Sequence, residues 1–264
     1  MADREDRLYS AKLAEQADRF EDMRDQIKKI VEMKVALTVD ERNLLSVAYK
    51  NIVGTRRTAW RVLSNLELKE KEKETSSVAK VCEDYRKSIE ADLFDVCHDL
   101  LRLIDNYLLE SSENDADSQI FYEKMKGDYY RYIAEVQETE ERKKTAELAL
   151  KAYQKASESA ATSLVKTHPI RLGLALNFSV FHYEILNSPK HAIALARSAF
   201  DDAISELDQL NEESYKDSTL IMQLIRDNLS LWSNDVKPDE EEDDENSPTK
   251  DGAVGDNPEA YAAS

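Results

Sequence analysis

The sequence predicts an all-α protein of about nine antiparallel helices, and three observations support this prediction. No proline occurs in the first 168 residues, and only Gly54, Gly127 and Gly173 precede the last thirty. Apolar residues recur at spacings of three and four, which is the helical period. Recognisable start signals divide the chain into separate segments. Strands are normally punctuated by proline, glycine and turn dipeptides, which are scarce here, so a sheet is not expected.

Local signals mark the individual helices. The second helix carries an apolar stripe made of Phe20, Met23, Ile27, Ile30 and Val31. Thr38 and Glu41 form a capping box at the start of the third helix. The polar breaks "KEKETSS" and "SSENDADS" bound the fourth, and Thr139 precedes the sixth. Pro169 and Pro189 open two later helices, where a missing N–H costs nothing. The predicted helices span residues 3–17, 20–36, 39–70, 77–109, 116–137, 140–163, 169–186, 190–207 and 213–233.

The third and fourth predicted helices are unusually long, near 48 Å each at about 1.5 Å per residue. Rods of this length suit a layered, cup-shaped array better than a compact bundle. The segment "KHAIALARSAFDDAISEL" is typical of a tetratricopeptide helix. The 34-residue sequence pattern of that repeat is missing, so a repeat array is the weaker interpretation.

Composition limits the class of protein. The net charge is −18, and the segment 235–264 alone holds eleven acidic residues against two lysines. Its composition predicts a disordered acidic tail, and the overall charge argues against a nucleic-acid partner. No apolar run reaches membrane-spanning length, and the charged N-terminus is not expected to act as a signal peptide. Cys82 and Cys97 are interpreted as reduced core thiols, which indicates a cytoplasmic or nuclear protein. No membrane partner is expected.

One helix face concentrates positive charge against this acidic background. Within "NLLSVAYKNIVGTRRTAWR", Lys50, Arg57 and Arg61 fall within about 20° of one line along a helix, whereas Arg56 points elsewhere. The neighbouring positions on the same face supply no carboxylate. Basic residues on a long helix are often only a solvated face, but these cations are predicted to lack local partners. Gly54 beside them would let another chain approach closely.

Three further segments carry polar groups among apolar ones. In "KMKGDYYRYIAEV", Arg131 precedes Tyr132 on an aromatic-rich helix. Asn177 lies within the apolar run "RLGLALNFSVF", and Asn228 lies within "DSTLIMQLIRDNLSLW". Such residues are usually core packing, with satisfied amides. Two asparagines on leucine-rich helices also suit a wall that holds an extended peptide backbone.

Together these segments resemble the signature stretches of the 14-3-3 proteins, in order, from about residue 3 to residue 233. The resemblance implies an adaptor that binds phosphoserine or phosphothreonine segments of client proteins. It implies that Lys50, Arg57, Arg131 and the Tyr132 hydroxyl hold the phosphate. Asn177 and Asn228 would bond the ligand backbone. The groove would be completed by Arg61, Leu176, Val180, Glu184, Leu220, Ile221, Leu224 and Trp232.

The resemblance also implies a dimer, homomeric or heteromeric, formed through residues 1–36 and parts of the third and fourth helices. The ligand groove would use residues 39–233, and the domain would span 1–233 with the tail at 234–264. Ser88 stands where many family members offer a lysine to the partner's Asp22, so that ion pair is expected to be absent or rerouted. The other matching interface positions are Leu13, Ala17, Arg19, Ala59, Val62, Tyr85 and Asp92.

Two other functions are weighed against this one. No glycine-rich phosphate loop, zinc-protease motif or nucleophile elbow occurs, and the histidines show no ligand spacing, so neither an enzyme nor a cofactor or metal site is expected. A phosphate-independent helical scaffold or chaperone-like protein is the alternative function. The basic positions Lys50, Arg57 and Arg131 separate the two, because holding a client through apolar surface does not require them. The sequence leaves the clients, their ranking and any contact of the tail with the groove open.

Overall fold

The computed structural model describes residues 2–73, 77–209 and 212–235, and all regular structure in these ranges is helical. Nine helices are present there: α1 (Ala2–Gln16), α2 (Phe20–Val31), α3 (Val39–Lys71), α4 (Ser77–Leu103), α5 (Ala116–Val136), α6 (Thr139–Ser163), α7 (Pro169–Glu184), α8 (Pro189–Ser205) and α9 (Glu212–Asp235). A π-helical turn at Ile104–Leu108 and a final turn at Leu109–Ser111 continue α4. The all-α prediction is confirmed. Beyond residue 235 the predicted tail lies outside the described residues.

The end of α2 differs from its prediction. The helix stops at Val31 rather than residue 36, and Lys34 adopts a left-handed backbone conformation with φ of 58°. The Met33 and Lys34 N–H groups donate to the Ile30 and Val31 carbonyls in a tightened last turn. A left-handed residue cannot continue a right-handed helix, so the apolar residues after Val31 belong to the loop.

The described residues form two compact units, 2–159 and 160–235. In the first unit α1 packs on α2, α2 on α3, α3 along α4, and α5 on α4. The predicted capping box at Thr38 is present, and Arg4 of α1 binds its Glu41, with 2.8 Å from Nε to Oε1. That cap therefore also ties α1 to the start of α3. The α2 stripe is buried as predicted at Met23, Ile27, Ile30 and Val31.

The second unit is built from α7, α8 and α9, which pack on one another. Pro169 and Pro189 occupy the first turns of α7 and α8, as predicted. Three alanines of α8, Ala192, Ala196 and Ala203, are fully buried and let the neighbouring helices approach closely. The core of this unit comprises Leu172, Leu176, Val180, Ala192, Ala196, Ala203, Met222, Ile225 and Trp232.

The two cysteines differ in environment. Both are free thiols; Cys97 is buried in the first unit, and burial raises the pKa of its thiol. Cys82 is only half-buried, so its interpretation as a core residue is corrected. None of the described helices combines the length and the apolar character needed to cross a bilayer.

Candidate functional site

Two arginines of α3 meet one carboxylate of α5. Arg57 Nε donates to Glu135 Oε2 at 2.6 Å, and Arg61 donates to Oε1 from Nε at 2.9 Å and from Nη2 at 2.6 Å. Burial would raise the pKa of Glu135, but the two guanidinium groups hold it below its ordinary value. Glu135 is therefore ionised and fixes both arginines toward α5.

This geometry corrects the expectation that the cations lack partners. The carboxylate that pairs with both Arg57 and Arg61 is that of Glu135, which lies on α5. Arg56 follows a different course, as predicted: its Nη1 lies 3.5 Å from a carboxylate oxygen of Glu21 on α2. Helical geometry separates consecutive side chains by about 100°, so Arg56 points away from the side on which Arg57 and Arg61 meet α5.

Tyr132 joins the arginines of two helices. The Arg57 guanidinium carbon lies 4.4 Å from the centroid of the Tyr132 ring, and that of Arg131 lies 4.7 Å from it. Guanidinium groups are attracted to aromatic faces at such distances. Burial raises the pKa of the Tyr132 phenol, so the hydroxyl keeps its proton and can act as a hydrogen-bond donor. The structure thus brings together three of the four residues predicted to hold a phosphate.

A buried hydrogen-bond network holds Arg131 in place. Only 2% of this arginine is exposed, and its Nε donates to the Tyr153 hydroxyl at 3.2 Å. The Tyr153 hydroxyl donates to Asp128 Oδ1 at 2.6 Å, and Lys124 Nζ donates to Oδ2 at 3.0 Å. Burial would raise the pKa of Asp128, but the charges of Lys124 and Arg131 keep it below its ordinary value. A carboxylate anion therefore anchors two buried cations.

Lys50 remains exposed and is the fourth predicted phosphate ligand. Among the described residues it has no ion-pair partner. Surrounding protein atoms, and then the charge of Lys124, lower the pKa of its ammonium group, while Asp128 opposes that effect. Lys50 therefore lies within electrostatic reach of the Asp128 network. We call Lys50, Arg57, Arg61, Arg131 and Tyr132 the basic cluster.

The two glycines of the first unit have opposite surroundings. A Cβ built on Gly54 meets no atom within 4 Å, which fits the predicted open approach beside the cations of α3. A Cβ on Gly127 would lie 2.7 Å from the Tyr153 ring. The absence of a side chain at Gly127 is thus what allows Tyr153 to lie against α5 and reach Asp128.

The residues predicted to bond the ligand backbone and to line the groove lie in the second unit, apart from Arg61. Asn177 and Asn228 are completely buried. Leu176, Val180 and Trp232 belong to the buried core of that unit, and the Trp232 ring stacks on Tyr183 with a centroid distance of 4.8 Å. Glu184, Ile221 and Leu224 are partly exposed, whereas Leu220 is 64% exposed. Their role in a groove stays a prediction.

The predicted interface residues lie on the first unit. Leu13, Val62 and Tyr85 expose about half of their surface or more, at 49%, 53% and 59%. Arg19 and Asp22 form an ion pair with each other inside the chain. The predicted interface also includes Ala17, Ala59 and Asp92, of which Ala59 is half-buried and the other two are exposed. Ser88 is exposed, and its hydroxyl donates to the Tyr85 carbonyl at 2.9 Å.

Sequence reasoning missed Glu135, Asp128, Lys124 and Tyr153. Two of them were recognisable in principle, since Asp128 lies three residues before Arg131 and Lys124 four before Asp128, whereas Glu135 pairs with arginines of another helix. Tyr153 lies on another helix and carried no such signal. Within the described ranges, no group of three or more histidine, cysteine or acidic side chains is arranged to hold a metal ion.

Comparison with known proteins identifies relatives along nearly the whole chain. The family model described as 14-3-3 protein matches residues 10–233. The "14-3-3-like protein C" of Glycine max is 56% identical over 250 residues, which cover 95% of this chain and 96% of the relative. The "14-3-3 protein epsilon" of Drosophila melanogaster is 54% identical over 240 residues, or 91% of each chain.

Proposed function

Because this chain belongs to the 14-3-3 family, we propose that it binds phosphoserine or phosphothreonine segments of client proteins through the basic cluster. Family membership by itself supports the coarser statement that the protein is an adaptor or regulator. The observation that carries the finer proposal is the convergence of Arg57 and Arg131, from two helices, on the ring of Tyr132.

The chemistry of the cluster suits a phosphate monoester. A phosphorylated side chain carries a charge near −2 and three strong acceptor oxygens. Guanidinium groups bond two such oxygens at once, a lysine adds a compact charge, and a tyrosine hydroxyl donates without adding charge. Lys50, Arg57, Arg131 and Tyr132 supply these four groups in one unit of the fold. A carboxylate ligand has fewer acceptors and half the charge, so it would bind more weakly.

The remainder of the ligand and the dimer complete the proposal. The resemblance implies that Asn177 and Asn228, which are completely buried in the second unit, bond the client backbone and that apolar residues such as Leu220 contact its side chains. The protein acts as a dimer through α1, α3 and α4, on which Leu13, Val62 and Tyr85 expose apolar surface to a partner. Its function is binding rather than catalysis, and its cytoplasmic or nuclear location stays a prediction.

A pair of matched peptides tests the proposal. One client-derived peptide is made with serine and with phosphoserine, and its affinity for the full chain is measured by titration calorimetry. The phosphorylated form is expected to bind and the unphosphorylated form is not. Equal binding of both forms would contradict the proposal and favour a phosphate-independent scaffold.

The charge reversal Lys50→Glu tests whether the phosphate binds at the basic cluster. Each charge-assisted hydrogen bond contributes about 1.5 to 3 kcal/mol, and the reversed charge adds repulsion. Phosphopeptide binding should therefore fall below detection, while the helical circular dichroism and the dimer stay as in the parent chain. Affinity retained within a factor of two would place the phosphate elsewhere.

A further inference from the structure

A hydrogen-bonded relay of three residues approaches the basic cluster from inside the first unit. The Arg131 Nε–H donates to the Tyr153 hydroxyl, and the same hydroxyl donates to Asp128. The relay is buried throughout, with 5% of Asp128 exposed and none of Tyr153. Neither Tyr153 nor Asp128 has to contact a ligand directly. Their contacts with Arg131 suggest a role in setting the orientation of that guanidinium group.

We infer that Tyr153 and Asp128 are positioning residues that hold the Arg131 guanidinium in the plane in which it receives a phosphate. This inference rests on the proposed function. A guanidinium group presents its N–H donors in one rigid plane. Fixing Nε therefore fixes the direction of the other donors. Tyr153 fixes Nε, and the Tyr132 ring, 4.7 Å from the guanidinium carbon, supports the group by a second contact.

Asp128 gives the relay its direction. A tyrosine hydroxyl has one proton, and at 2.6 Å from a carboxylate that proton is committed to Asp128. The oxygen lone pairs of Tyr153 then remain for the Arg131 Nε–H. With a neutral partner in place of the carboxylate, the hydroxyl could rotate, and its oxygen would no longer be held as the acceptor for the Arg131 Nε–H. Pre-orienting a ligand group before binding reduces the ordering cost that binding would otherwise carry.

The chain offers a matched pair of tyrosines for the test. Tyr153→Phe removes the relay hydroxyl but keeps the ring that packs on Gly127. Tyr129→Phe removes a hydroxyl that is also buried on the first unit but has no hydrogen-bond partner there. Both variants lose one oxygen from a buried ring. A difference between them reports the hydrogen bonds rather than the loss of an atom.

The expected result is a weaker phosphopeptide complex for one variant only. Tyr153→Phe should raise the dissociation constant about three- to tenfold, since the hydroxyl's hydrogen bonds with the charged Arg131 and Asp128 side chains are lost. Tyr129→Phe should leave the constant within twofold of the parent chain. Circular dichroism of both variants should match the parent, which shows that the fold is intact. Equal constants for the two variants would overturn the positioning role.

A double-mutant cycle shows whether Tyr153 acts through Arg131. Lysine at position 131 keeps the charge but lacks the Nε–H that donates to Tyr153, so Tyr153→Phe should have no further effect in the Arg131→Lys background. Additive losses would overturn the positioning role, because a general structural effect of Tyr153 would persist in both backgrounds. If the parent chain itself fails to distinguish the phosphorylated peptide from its unphosphorylated form, the proposed function fails first and the positioning role with it.

Discussion

Arg56 and Arg57 are adjacent in the chain, yet their guanidinium groups pair with carboxylates of different helices. Arg56 meets Glu21 of α2, and Arg57 meets Glu135 of α5. Only the second arginine also lies over the Tyr132 ring. The rotation of about 100° between consecutive residues of α3 therefore decides which of the two arginines belongs to the basic cluster.

Substituting these two arginines separately is the first prediction. Arg57→Gln should weaken phosphopeptide binding about 10- to 100-fold, because hydrogen bonds between charged groups are lost. Arg56→Gln removes the same charge from the same helix but should change the dissociation constant by less than about threefold through long-range electrostatics alone. Titration at physiological salt measures both constants. Comparable losses would mean that the net charge of α3, rather than the cluster, attracts the ligand.

Much of the fold follows from signals within a few residues of one another. The capping box joins Thr38 to Glu41, and the prolines at 169 and 189 act on the turns that they begin. The direction of Arg57 relative to Arg56 follows from helical geometry alone. These features were therefore predictable without knowledge of the tertiary structure.

The partners of the basic cluster were not predictable in this way. Glu135 lies 78 positions from Arg57, and Tyr153 lies 25 positions from Asp128. Which distant helices meet depends on the packing of the whole unit, and a single sequence holds no pair signal for it. The end of α2 was misjudged for a related reason: the apolar pattern continues past Val31, whereas the backbone at Lys34 turns left-handed.

The two helical glycines of the first unit give a second prediction. Alanine is more stable than glycine inside a helix by about 0.5 to 1 kcal/mol. Gly54→Ala should gain this amount, because its Cβ enters open space. Gly127→Ala should instead lower the free energy of unfolding by about 1 to 3 kcal/mol, since its Cβ would overlap the Tyr153 ring. Urea unfolding followed by circular dichroism measures both changes. A stabilised Gly127→Ala variant would show that the Tyr153 ring is not confined as the structure has it.

The third prediction concerns the two basic clusters of the proposed dimer, one in each subunit. A client peptide with two phosphorylated sites on a spanning linker should bind about 10² to 10⁴ times more tightly than a peptide with one site, because the second contact becomes intramolecular. Leu13→Glu combined with Tyr85→Gln places charge and polarity on the proposed interface. This variant should be monomeric by analytical ultracentrifugation and should lose the bivalent gain while keeping single-site affinity.

A matched control distinguishes an effect on the proposed interface from the general effect of adding polar groups to the surface. Leu148 and Tyr215 are exposed to a similar degree, 45% and 47%, but lie on α6 and α9. Leu148→Glu combined with Tyr215→Gln introduces the same chemical changes outside the proposed interface. This double variant should remain dimeric and keep the bivalent gain. A monomeric control, or a bivalent gain that survives in monomeric Leu13→Glu/Tyr85→Gln protein, would contradict the assignment of the interface.

The last prediction concerns stability at mildly acidic pH and depends on His182 of α7. Its Nδ1 is buried with no hydrogen-bond partner among the described residues, and its ring lies 4.7 Å from that of Phe178 and 6.0 Å from that of His191. Burial, and then the charge of His191, lower the pKa of His182 from its ordinary value of 6.5. The unfolded chain therefore takes up this proton at a higher pH than the folded chain does. The stability associated with neutral His182 is complete above pH 6.5 and is lost as the pH falls below that value toward the lower pKa of the folded state.

His182→Phe keeps an aromatic ring beside Phe178 but has no proton to bind. Between pH 6.5 and 5 the free energy of unfolding, measured in urea, should fall less steeply for this variant than for the parent chain. Parallel slopes for the parent and His182→Phe would show that His182 does not make the fold sensitive to acid.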